Sequence, residues 1–423
     1  MIVYGLVWWN VLRIVEYDHW PPPEDAITSD QALEMAEEFI QRNDLRRDDA
    51  AIAYAPSTAS DVNLFLDGTR FFPAMVEDIE SAEHSIHLLM FGFTPGGWGD
   101  TFAEVLIERA GEGIEVRLIV DGQGSKATGD NEAFFLRLAD AGIQIVVNDT
   151  INIQATGELP ERDRNLRLDE IGHADHRKMM VVDGRIGWVG GAGFEDHFYG
   201  GGWIDSYARV EGDVVRQLQA LFCTSFHAYA GDLPDDLAPY FPEPEKAGDV
   251  RVTVLQNFPG GFVPGTQASQ QIIEDAEERL HVMNAYFTDN GMITLIEEAA
   301  NRGVEVRILS SRDSNVAPAQ YAFESQYGRL MSAGVEIWEV PGVLHAKVTV
   351  ADDTVIIGSI NYDAWALYRN LELALLIEDA DIADDAVSEL IEPSLRNASL
   401  AVPPDGWREE LPARFWWWMR YYL

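Results

Sequence analysis

The sequence predicts an α/β protein made of two similar halves, and three observations carry that expectation. At 423 residues with 47% apolar content, the chain is long enough for two ordinary domains, each with its own core. Strand-like and helix-like segments alternate along most of it, which implies parallel or mixed sheets covered by helices. The stretch His176-Arg-Lys178-Met-Met-Val-Val-Asp183, with Gly190-Gly191 behind it, returns as His345-Ala-Lys347-Val-Thr-Val-Ala-Asp352 with Gly358-Ser359-Ile360-Asn361 behind it. One such stretch could be chance. Two mark a duplicated unit and point to one site shared between the halves.

In chain order, residues 1–17 place Asn10, Arg13 and Glu16 on one helical face and Val7, Trp8, Val11, Leu12 and Val15 on the other. That fits a helix at a membrane interface, or equally one docked on the protein body. Pro21-Pro-Pro23 stops it, and an acidic helix runs from Ser29-Asp30 to about Asn43, so residues 1–55 form an N-terminal helical segment and a candidate membrane contact. The first half, 56–229, reads as helix 71–82, strand 85–93, helix 101–110, strand 115–120, helix 131–141 and strand 143–147. After a linker at 230–249 rich in Pro, Asp, Glu and Gly, the second half, 250–400, repeats the order. Its elements are helix 267–277, strand 280–286, helix 290–300, strand 305–309, helix 321–333 and strand 335–338. Gly113-Ile-Glu-Val-Arg-Leu-Ile matches Gly303-Val-Glu-Val-Arg-Ile-Leu in the two. An aperiodic insertion, 149–172, occurs in the first half alone and carries Arg162, Arg164 and Arg167; a solvated insertion and a substrate-gating loop explain it equally well. Residues 401–423 are an aromatic C-terminal tail, Arg414-Phe-Trp-Trp-Trp-Met-Arg420-Tyr-Tyr-Leu423, of the kind that favours the lipid headgroup region.

Lys plus Arg is 30 against 71 Asp plus Glu, a formal charge of −41. Such a surface repels nucleic acid phosphates and argues against a nucleic acid partner. It would also suit a high-salt habitat, where screening relieves self-repulsion. Lysine occurs only at 126, 178, 246 and 347, so two of the four lie in the repeated motif. Cys223 is alone, which excludes an internal disulfide and a cysteine metal site. No apolar run reaches the roughly 18 residues that cross a bilayer, and the N-terminus lacks a signal-peptide pattern, so a cytoplasmic location is the expectation. Nothing in the sequence specifies an oligomeric state.

In each motif copy His and Lys stand two residues apart, on one face of a strand, and converge on one anionic group. Phosphodiester transfer needs a nucleophile, cations for the nonbridging oxygens and a proton donor for the departing alkoxide. Two histidines supply the first and last, because imidazole titrates near neutrality. The expectation is that His176 attacks phosphorus to form a phosphohistidine, His345 protonates the leaving alcohol and then deprotonates the acceptor, and Lys178 and Lys347 hold the phosphoryl oxygens. No metal or other cofactor is needed. The metal alternative, His173 with Asp175 and His176, has no counterpart beside His345. Asp205 and Glu372 stand at matched positions and are candidates to hold the other ring nitrogens. Ser359, Asn361 and Gly191 are candidate phosphate contacts, and Asp183 and Asp352 are read as motif-structural residues making turn contacts. His84, His87, His197, His227 and His281 are read as hydrogen-bonded structural residues.

The doubled His-x-Lys-x4-Asp pattern resembles the phospholipase D superfamily, and the details resemble its bacterial cardiolipin synthase branch. The likeness runs from about Val62 to Glu378 and includes Asp67-Gly68, Asp121-Gly122, Trp203-x-Asp205 and Asn370-x-Glu372. It implies two similar α/β/α sandwiches with the active site at their interface. It also implies carboxylates exchanged across the seam, Glu372 supporting His176 and Asp205 supporting His345, with the first-half histidine as nucleophile. The implied partner is a glycerophospholipid at a peripheral membrane surface on the cytoplasmic side, and the implied reaction is phosphatidyl transfer to an alcohol or water. Hydrolysis of a soluble phosphodiester or nucleic acid end, and an inactive membrane-binding scaffold, are the alternatives. Gly193 departs from the pattern, since that position usually carries asparagine and Asn361 is left unmatched. The two membrane-spanning helices that often precede such domains also have no equivalent.

Overall fold

The computed structural model describes residues 56–148, 174–200, 202–229, 231–258 and 263–420. The segment 1–55, the arginine-bearing insertion and His173 lie outside them.

The first half supplies strands β1 (Ser57–Ala59), β2 (Asp61–Leu66), β3 (Ser85–Met90), β4 (Glu115–Asp121), β5 (Gln144–Asn148), β6 (Lys178–Val182), β7 (Ile186–Gly190), β8 (Trp203–Ile204) and β9 (Ser206–Glu211). The second supplies β10 (Val250–Asn257), β11 (Arg279–Met283), β12 (Glu305–Ser311), β13 (Glu336–Val340), β14 (Val343–Leu344), β15 (Val348–Ala351), β16 (Thr354–Gly358), β17 (Glu372–Glu378) and β18 (Ser399–Leu400). One sheet runs β2-β9-β7-β6-β3-β4-β5, and the other runs β10-β17-β16-β15-β11-β12-β13 with β1 and β18 added at its edges. The wiring is the same. In each, three parallel strands joined by helices are flanked by an antiparallel ribbon that carries a motif copy.

Strands buried on both faces read as continuous apolar runs, and β3 is buried at every residue. Helices Gly68–Glu80 and Gly97–Gly111 cover the outer face of the first sheet through Phe71, Phe72, Met75, Phe102 and Leu106. Helices Pro264–Asp275 and Asn290–Arg302 do the same for the second through Ile273, Ile293 and Ile296. The inner faces pack into one core shared by both halves, in which Met179, Val189 and Ala208 meet Met283, Val348, Ile357 and Leu375, and the buried helix Val214–Ala228 completes it. The expected layered α/β architecture of two repeats is therefore present.

Three details differ from the sequence reading. Strand β1 pairs antiparallel with β10, so the chain first joins the second half's sheet before building its own. The expected single helix over 321–333 is two, Ala317–Glu324 and Tyr327–Ser332; Pro318 sits in the first turn and starts the first helix earlier. The linker is pinned, because Tyr240 is buried in the shared core and its hydroxyl meets Glu115 and Arg117.

Candidate active site

Both motif histidines lie just outside regular strands, in short segments that pair across the seam. His176 N donates to Leu371 O at 2.9 Å and Leu371 N to Ala174 O at 2.9 Å. The mirrored segment is the parallel pair β14 and β8, where His345 N donates to Ile204 O at 2.7 Å. Each histidine segment thus runs alongside the other half's carboxylate segment.

Side chains follow from that pairing. His176 Nδ1 lies 3.0 Å from Glu372 Oε2, and His345 Nδ1 lies 2.6 Å from Asp205 Oδ2. Glu372 is itself held, by Ser359 Oγ at 2.5 Å and Asn370 Nδ2 at 3.3 Å. Asp205 accepts from Ser206 N at 2.7 Å. Gly191 corresponds to Ser359, and a Cβ there would lie 2.4 Å from Asp205 Oδ1. Ser359 and Gly191 therefore stand behind the carboxylates: the Ser359 hydroxyl is spent on Glu372 and the Leu373 backbone, a correction to its expected phosphate contact. Asn361 is nearly buried and its Oδ1 has no hydrogen-bond partner.

Lys178 Nζ donates to His176 O at 2.6 Å and lies 4.7 Å from the Phe91 ring centroid; Lys347 Nζ donates to His345 O and lies 3.2 Å from its Nε2. The two ammoniums act on both imidazoles. Burial, reinforced by the charges of Lys178 and Lys347, holds His176 well below its ordinary pKa, and burial with the same two lysines does so for His345. Burial also lowers Lys178 to about 7 and Lys347 to about 8. It raises Asp205 to about 7 and Glu372 to about 8, against the pull of the lysines.

Asp183 and Asp352 do not enter this cluster. Both sit in left-handed backbone, φ 53° and 48°, at the tight turn closing each motif ribbon. Asp183 accepts from the N–H groups of Glu83, His84 and Ser85 at 2.7 to 2.8 Å, and Asp352 from those of Glu277, Glu278 and Arg279 at 2.8 to 2.9 Å. Partial burial opposes ionisation of Asp352, but those three donors keep its pKa below the usual value. Asp175, expected only in the metal alternative, is taken up by Arg177 at 2.7 Å and by the Tyr229 hydroxyl at 2.9 Å.

The sequence reading missed the rings around His345. Phe198, Trp203 and Tyr286 lie 5.4, 5.5 and 6.3 Å from it, and the ring of His197, read as structural, lies 4.2 Å from Trp203 at a tilt. No periodicity marks them. His87 fits its structural reading: it stacks 4.6 Å from Phe222, bonds Gln219, and burial lowers its pKa to about 3.

Residues 75–199 and 270–392 match the family model described as "Cardiolipin synthase, PLD-like domain". A cardiolipin synthase of Geobacillus thermodenitrificans is 28% identical over 358 residues, 81% of this chain and 68% of that protein. The probable cardiolipin synthase YwiE of Bacillus subtilis is 25% identical over 334 residues, 77% of this chain and 64% of its own length. Among solved structures, the phosphatidylserine synthase of Haemophilus influenzae superposes with a TM-score of 0.66 at 12% identity, covering 93% of this chain and all of that one, a likeness of fold.

Proposed function

The chain belongs to the cardiolipin synthase, phospholipase D-like domain family, and from that premise we propose that it moves a phosphatidyl group between glycerophospholipids and an alcohol by way of a phosphohistidine. The two crossed imidazole and carboxylate pairs beside two lysines are the observation that carries this reading.

The steps follow from the hydrogen bonds. With Nδ1–H donated to Glu372, His176 presents the Nε2 lone pair to phosphorus; a P–N bond forms as the P–O bond to the first alcohol breaks. His345, held by Asp205, gives that alkoxide its proton. An acceptor hydroxyl then loses its proton to His345 and attacks phosphorus, breaking the P–N bond and freeing His176. The lysine ammoniums and the Asn361 amide neutralise and orient the phosphoryl oxygens. An entering phosphodiester brings negative charge, which offsets the lysines' effect on His345 and lets it hold the proton it must donate.

A glycerophospholipid enters from a bilayer, and one surface helix suits that contact. Helix Trp407–Trp418 exposes Leu411, Phe415 and Trp418. It packs on helix Ala317–Glu324, which follows the loop where Asn315 accepts a hydrogen bond from Tyr286, beside His345. The expected contact is peripheral; among the described residues no helix is long and apolar enough to cross a membrane.

Incubation with phosphatidylglycerol vesicles, scoring cardiolipin, glycerol and phosphatidic acid, tests the reaction. Transfer to lipid or glycerol acceptors is expected, with a loss of at least about a thousandfold in His176→Ala. Undiminished turnover in that variant removes the nucleophile assigned here. An acid-labile phosphoryl adduct should be trapped by rapid quenching of the unaltered protein during turnover and be absent from His176→Ala. Flotation with the same vesicles should weaken in Phe415→Ser with Trp418→Ser, and unchanged flotation excludes this helix as the anchor.

A further inference from the structure

The two halves match residue for residue behind their motif ribbons, and at one point the match breaks. The bridges Phe93 to Phe194 and Phe287 to Tyr362 fix the register, so Gly193 corresponds to Asn361 and Glu195 to Asp363. Asp363 caps helix Ala364–Tyr368, accepting from the N–H groups of Trp365 and Ala366 at 2.8 and 2.9 Å. Glu195 makes no such cap on the turn that follows it. Its side chain instead folds back over two glycines: a Cβ on Gly92 would lie 2.5 Å from Glu195 Oε2, and one on Gly193 would lie 2.8 Å from the same atom. The carboxylate thus occupies the space where the second half places the Asn361 side chain.

A carboxylate there cannot serve the phosphoryl oxygens, because like charges repel. What it can accept is a hydrogen bond from a donor group on the substrate. Its neighbours show which part of the substrate that is. Glu195 Oε2 lies 4.0 Å from His197 Nε2; the His197 ring lies 4.2 Å from Trp203, tilted against it, and Trp203 lies 5.5 Å from His345. This row leads from Glu195 to the imidazole that handles the alcohol. Burial raises the Glu195 pKa against the pull of Lys178 and Lys126, burial lowers that of His197, and the pair adjoins a large apolar ring face. Lys178 already sets a positive charge against this carboxylate, so hydroxyls on a short carbon chain fit the wall better than a second cation does.

We propose that Glu195 is a specificity residue that hydrogen-bonds a second hydroxyl of the leaving or accepting alcohol, so that the enzyme selects polyol headgroups over monohydric alcohols. This rests on the phosphatidyl-transfer reading above. Glycerol-like alcohols then bind by the reacting hydroxyl at His345 and by a neighbouring hydroxyl at Glu195, while the phosphoryl group is held by Lys178, Lys347 and Asn361.

The test uses the full chain with phosphatidylglycerol micelles and three competing acceptors, deuterated glycerol, ethanol and ethanolamine, with products resolved by mass. The unaltered protein is expected to prefer glycerol. In Glu195→Ala the glycerol-to-ethanol product ratio should fall about tenfold, through the KM for glycerol, on top of any slowing of release of glycerol from phosphatidylglycerol that both acceptors share. Glu195→Gln fills the same space, covers the case where the alanine variant fails to fold, and should keep part of the preference. Equal losses for glycerol and ethanol, an unchanged ratio, or a greater loss for ethanolamine than for glycerol overturns the proposal. Absence of transfer to any alcohol removes the phosphatidyl-transfer reading and this proposal with it; transfer at an unchanged ratio removes this proposal alone.

Discussion

Two ammoniums buried beside two imidazoles set the pH behaviour of the site. In the proposed mechanism the ammonium is the form that holds phosphate, and burial brings Lys178 to about 7 and Lys347 to about 8. Raising the pH through that interval removes the charge, so kcat/KM, which reports the free enzyme, should fall on the alkaline side. Bound phosphodiester favours the charged lysines, and the fall in kcat should come at higher pH. The nucleophile His176 stays neutral until well below 6.5, so acid loss comes late. Lys178→Arg should be slower overall yet move the alkaline limb upward, because a guanidinium keeps its proton. A kcat/KM profile level from about pH 6 to 9 would contradict the assignment. A second outcome concerns Gly191, where an added methyl would lie 2.4 Å from Asp205 Oδ1. Gly191→Ala should swing that carboxylate off His345 and slow transfer about 10- to 100-fold in steady-state assays, with the fold retained.

At the scale of elements, the motif aspartates are fasteners between each ribbon turn and the start of the neighbouring parallel strand. Asp352→Ala strips three backbone N–H groups of one acceptor and should cost about 2 kcal/mol in urea unfolding. The exposed neighbour Asp353→Ala should stay within about 0.5 kcal/mol. Most elements were legible because their cause is local: apolar runs for buried strands, and a repeated Gly-x-Glu-Val-Arg segment for β4 and β12. The paired motifs made the two histidines and two lysines legible as one set. What stayed hidden depends on partners far away in the chain. Nothing in Ser57-Thr-Ala59 says which sheet it joins, and nothing around Glu195 says that it turns inward where Asp363 caps a helix. Ser359 looked like a phosphate contact because its occupation by Glu372 is visible only in three dimensions.

Over the whole molecule, one core serves both halves, with Met179 and Val189 packed in the same cluster as Val348 and Leu375. Heat or urea should therefore melt the protein in a single transition, and chains divided within 231–249 should not give two soluble, separately folded halves by gel filtration and circular dichroism. Resolved separate transitions would contradict a shared core. The net charge of −41 adds self-repulsion to any compact state, so the urea midpoint should rise with sodium chloride and not with an equal osmolality of sucrose. The crossed carboxylates carry a consequence for biosynthesis. His176 emerges from the ribosome 196 residues ahead of Glu372, and Asp205 emerges 140 residues ahead of His345. A polypeptide that ends before Glu372 thus leaves His176 without its carboxylate, and the proposed site is complete only once β17 has joined its sheet.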